Sequence, residues 1–74
     1  ARASAAKRVE GLRALEARIA SMELQLRQLE AKVAEIARAG NYLETRRLGE
    51  EHAALARSLR DLYDEWAAQA EAGE

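Results

Sequence analysis

The sequence predicts an all-α fold, an antiparallel two-helix coiled-coil hairpin, on three observations. Ala, Leu, Glu, Arg and Lys dominate its 74 residues, Pro is absent, and no apolar stretch alternates with period 2. Large apolar residues recur instead at alternating spacings of three and four, the mark of a heptad seam. The recurrence is interrupted once, at Ala39-Gly40-Asn41-Tyr42, so one helix runs out and a second returns.

The first helix is predicted over 8–39. Its seam is Leu12, Leu15, Ile19, Met22, Leu26, Leu29, Val33 and Ile36. Residues 1–7, rich in Ala with a Ser and Arg, are expected as a loose N-terminal linker. At the turn, Gly40 supplies a left-handed residue that ends the first helix, and Asn41 caps the second with capping-box spacing to Glu44. The second helix is predicted over 42–70, with seam positions Leu48, His52, Leu55, Leu59, Leu62, Trp66 and Gln69, and 71–74 are expected to fray. Each helix is then about 40 Å long at about 1.5 Å per residue.

Facing residues of an antiparallel hairpin have a constant index sum. Val33 with Leu48, Leu29 with His52, Leu26 with Leu55, Met22 with Leu59, Ile19 with Leu62 and Leu15 with Trp66 all sum to 81. The implied midpoint, 40.5, falls between Gly40 and Asn41, so turn chemistry and seam agree. On one flank Arg18, Gln25 and Lys32 approach Glu65, Ser58 and Glu51, giving two expected ion pairs around a polar pair. On the other, Glu16, Glu23 and Glu30 face Tyr63, Ala56 and Gly49, where small residues admit close approach or leave a groove for a partner helix. At the open end, residues 1–18 carry five basic and two acidic side chains while 61–74 carry five acidic and none basic, an asymmetry that helps hold the base closed.

Composition excludes several functions. Half of the apolar count is Ala, 18 residues against 10 Leu, which builds helix but little core and disfavours a globule. With no Cys there is no disulfide or thiolate chemistry, and the default compartment is the cytoplasm. No apolar run reaches the roughly 18 residues of a membrane span, so no membrane partner is expected. The chain begins without Met and reads as a piece of a larger protein. Phosphate-cradling and common hydrolytic motifs are missing, and carboxylates on solvated helix faces lack the enclosure that tunes an acid or base. The piece is therefore expected to be non-catalytic, without a cofactor or metal of its own.

Individual residues have bland readings beside sharper ones. His52, at a core position with Leu48 and Ala56 one turn away, lacks co-ligands for a metal and reads as a polar register residue. Trp66 reads as a plug at the open end or a dock for a neighbouring domain, with Tyr63 covering the same end. Tyr42 either covers the tip or contacts a partner. Arg38, Arg46 and Arg47 bracket the tip, and Arg57 and Arg60 continue along the outer face, a track suited to phosphate contacts. Interspersed Glu44, Glu50 and Glu51 equally suit an ordinary solvated face.

The runs Leu12-Arg13-Ala14-Leu15-Glu16-Ala17-Arg18-Ile19-Ala20 and Leu26-Arg27-Gln28-Leu29-Glu30-Ala31-Lys32-Val33-Ala34, with the ending Leu59-Arg60-Asp61-Leu62-Tyr63-Asp64-Glu65-Trp66, resemble the C-terminal coiled-coil domain of ABC-F ATPases of the Uup type. Tyr42 matches the family's tip aromatic, and Tyr63 with Trp66 its closing signature. The tip has Ala39-Gly40 where many members have Asp-Pro, and Glu65 stands where an Arg often precedes the Trp. The resemblance spans about Val9 to Gln69. It implies a bacterial parent with two ATP-binding cassettes, using ATP and Mg, that acts on ribosomes in translation. The hairpin is then a DNA- or RNA-binding arm contacting ribosomal RNA, tRNA or DNA through the phosphates, with Arg38, Arg46 and Arg47 preferred and Arg57 and Arg60 next. The alternative is a protein-binding coiled coil that docks to its parent ATPase domains or self-associates through the Gly49/Ala56 flank, in place of a monomeric hairpin.

Overall fold

The computed structural model describes residues 2–72, with the backbone alone for Arg2 and Ala3. Two helices account for nearly all of it: α1 over Arg2–Arg38 and α2 over Tyr42–Ala72. They pack against each other as an antiparallel hairpin, a rod of 58 × 15 × 12 Å.

The seam lies where the heptads predict it. Every seam position from Leu12 to Ile36 and from Leu48 to Gln69 is buried or half-buried, while the outer faces are exposed. Leu15, Ile19 and Leu62 form the buried cluster, with Met22, Leu59 and Trp66 packed on it. That cluster joins three of the facing pairs, Leu15/Trp66, Ile19/Leu62 and Met22/Leu59. Leu48, only 2% exposed, anchors the tip end separately. Between these anchors the seam is only half-buried, as two helices without a third layer must leave it.

Three expectations need correction. Residues 2–7, expected within a loose linker over 1–7, belong to α1, which is helical from Arg2. Ala and Lys are strong helix formers, and no Pro or Gly precedes Gly11 to stop propagation. At the other end α2 continues through Ala72, two residues beyond the expected boundary, while Ala1, Gly73 and Glu74 lie outside the described residues. Finally, neither Arg18–Glu65 nor Lys32–Glu51 closes to an ion pair among the described residues. Glu51 turns instead to Arg47 on its own helix, at 3.7 Å, a partner one turn away. The open end is likewise joined by Arg8 Nη1 donating to the Ala72 carbonyl at 3.4 Å, a cation on the negative end of α2.

Candidate nucleic-acid interface

The tip is built by two residues that serve both helices. Gly40, at φ 79°, takes the left-handed conformation. It places its N–H on the Ala37 carbonyl at 3.0 Å, and the Asn41 N–H reaches back to the Ile36 carbonyl at 3.3 Å. These are the two bonds of a Schellman ending. Asn41 Oδ1 then accepts the Glu44 N–H at 3.1 Å, capping α2. The Thr45 hydroxyl adds a 2.7 Å bond to the Asn41 carbonyl. Because the Asn41 N–H already serves α1, the return half of the capping box is not made, and Glu44 turns to Arg47.

This geometry sets the candidate arginines. Arg38 is exposed in the last turn of α1, where its charge complements the helix C-terminus. Arg46 and Arg47 lie in the second turn of α2, so the turn brings these three to one end of the rod. Arg57 and Arg60 are exposed too, but 10 or more residues farther on, at least about 15 Å along the axis. The structure thus separates them into a tip group and a shaft pair.

Their electrostatic states differ. Arg47 donates from Nε and Nη2 to Glu44 and approaches Glu51 with Nη1, and Arg46 Nε lies 3.7 Å from Glu50. The hydrogen bond from Arg47 holds the Glu44 carboxyl below its ordinary range, and the same bond pushes the Arg47 guanidinium up. Arg38, Arg57 and Arg60 have no ion-pair partner among the described residues. The three unpaired guanidinium groups are therefore the fullest positive charges of the set.

Beside the tip arginines stand Tyr42, 88% exposed, and Leu43, 85% exposed. Tyr42 does not cover the tip, which leaves its ring face open to a partner. Leu43 lies off the heptad seam, and its signal in the sequence is a large aliphatic residue displaced from that seam beside an aromatic one.

The opposite flank also departs from expectation. The Glu16, Glu23 and Glu30 row meets ring-borne donors of α2. The Trp66 indole N–H donates to Glu16 Oε1 at 3.4 Å, the Tyr63 hydroxyl donates to Glu23 Oε2, and His52 Nε2 lies 3.9 Å from Glu30 Oε1. The hydrogen bond to Glu23, with burial second, raises the Tyr63 phenol above its ordinary value. Only Gly49 keeps the openness expected there, since a Cβ at that position would meet nothing within 4 Å.

Among the described residues no three His, Cys, Asp or Glu side chains converge to hold a metal, and no helix is long and apolar enough to cross a membrane. No family model, curated protein or solved structure matches the chain.

Proposed function

We propose that this chain is a non-catalytic coiled-coil arm of a bacterial, cytoplasmic ABC-F ATP-binding protein of the Uup type, and that its tip contacts nucleic acid of the translation apparatus. The observation that carries the reading is the tip itself, where Tyr42 is 88% exposed at the end of a 58 Å rod and arginines stand on both sides of the turn. Arg38 makes the first phosphate contact, because no carboxylate among the described residues holds it. Arg46 and Arg47 exchange their exposed same-helix carboxylates for phosphate, since solvated pairs of this kind hold weakly. Tyr42 offers a face on which an unpaired base stacks, which favours single-stranded or looped RNA over uniform duplex. Arg57 and Arg60 extend the contact along the shaft. ATP and Mg belong to the parent's cassettes, since this chain has no phosphate-cradling sequence of its own.

The test replaces Arg38, Arg46 and Arg47 together with Glu and titrates looped RNA and duplex DNA at two salt concentrations, with helicity checked by circular dichroism. The reading expects the log–log salt slope to fall in magnitude by about two to three. Unchanged affinity, or binding of the original chain that ignores salt, overturns it. A second reading, docking to a protein or self-association, is favoured by Leu43, whose 85% exposure beside Tyr42 makes an apolar end. It predicts that Leu43→Ser and Tyr42→Ala lower a concentration-dependent mass in sedimentation, and a strict monomer removes the self-association branch.

A further inference from the structure

About midway along the rod a notch of about 260 Å³ opens between the helices, lined by Glu16, Ile19, Ala20, Glu23, Tyr63 and Trp66. Its volume equals that of roughly eight or nine liquid waters at about 30 Å³ each, room for a planar head group and part of its stem. Ile19, a buried seam residue, provides an apolar floor, and the small side chain of Ala20 keeps one side low. Two aromatic rings contribute walls, and two carboxylates stand one heptad apart, about 10 Å along the axis.

The carboxylates are positioned but not neutralised. Trp66 and Tyr63 each give one neutral donor, to Glu16 and Glu23 respectively. A carboxylate accepts at about four lone-pair sites, so each retains acceptor capacity. The Lys and Arg ion pairs among the described residues go to Glu44, Glu50 and Glu51, never to Glu16 or Glu23, although the chain carries 12 Lys and Arg. Two full negative charges therefore border an apolar, aromatic recess.

That combination selects its ligand by charge complementarity. An anion is repelled, and a purely apolar group would strip water from the carboxylates without replacing its hydrogen bonds. A guanidinium meets every wall: its flat face stacks on an aromatic ring, its edge donates to a carboxylate, and its aliphatic stem lies on Ile19 and Ala20. An ammonium, compact and strongly hydrated, lacks the flat face. We propose that this notch receives an arginine side chain of a protein partner. The site lies on the shaft, about 30 Å along the axis from the tip, and does not rest on the reading of the tip as a nucleic-acid contact.

The test uses the ¹⁵N-labelled chain, in which Trp66 is the only Trp and gives one indole resonance. Acetyl-arginine amide is the probe, with acetyl-lysine amide and acetyl-glycine amide in parallel. The expected result is a saturable shift of the Trp66 indole signal with arginine, weaker with lysine and absent with glycine. Glu16→Gln and Glu23→Gln should each weaken binding by roughly two- to fivefold. Ala20→Met, an exposed position that keeps a good helix former, should block the notch and abolish the shift while circular dichroism stays unchanged. A linear, unsaturated drift shared by all three probes, or full binding by Ala20→Met, overturns the proposal.

Discussion

The Tyr63 hydroxyl donates to the Glu23 carboxylate across the hairpin, joining residues 40 apart in sequence. The bond needs the phenol protonated, which is why Glu23 raises its pKa. A group whose folded-state pKa is raised contributes stability that is fully present below its unfolded value and lost as pH rises through the folded one. For Tyr63 that window opens near pH 10, the ordinary phenol value. Thermal unfolding followed by circular dichroism should therefore show the hairpin losing stability above about pH 10. Tyr63→Phe should flatten that part of the profile, and an unchanged alkaline loss would show that another group causes it.

Burial along the seam is concentrated, and truncation should report it. Leu62 lies in the buried cluster, so Leu62→Ala should cost about 2–5 kcal/mol in urea unfolding. Leu24 is exposed on the outer face of α1, and Leu24→Ala should stay within about 0.5 kcal/mol. Equal losses at the two sites would mean that the helices do not pair through this seam.

Two glycines of α2 and its turn should respond in opposite directions. Neither has a neighbour that a Cβ would strike, so backbone conformation alone separates them. Gly40→Ala forces a side chain into the left-handed region and should cost about 1–2 kcal/mol. Gly49→Ala replaces a mid-helix glycine and should stabilise by about 0.5–1 kcal/mol. The midpoint of chemical denaturation distinguishes them, and a stabilised Gly40→Ala would refute the turn geometry.

Register was legible because it depends on period alone: Leu15, Ile19 and Met22 share one cluster with Trp66, Leu62 and Leu59, the residues that the index sum sets opposite them. Gly40 and Asn41 were legible because few residues adopt their roles. The charged flanks were not. Position pairs Lys32 with Glu51, but Arg47, a competitor on the same helix, reaches Glu51 without spanning the hairpin. The Glu16 and Glu23 contacts do not follow from index sums, because the long Trp66 and Tyr63 side chains reach carboxylates other than the residues set opposite them. The candidate arginines were visible as a set, but which of them a carboxylate restrains depends on rotamers that spacing does not encode.

The turn at Gly40 and Asn41 has no slack, since Asn41 spends its N–H on α1 and its side chain on α2. One inserted residue would therefore not be absorbed as a longer loop. It would change the index sum and slide every facing pair out of phase. Such a hairpin behaves as a ruler with fixed divisions: its length changes cleanly only by whole heptads added to both helices at once, about 10 Å per division. The separation of the hairpin's two ends is then inherited as a discrete quantity rather than tuned residue by residue.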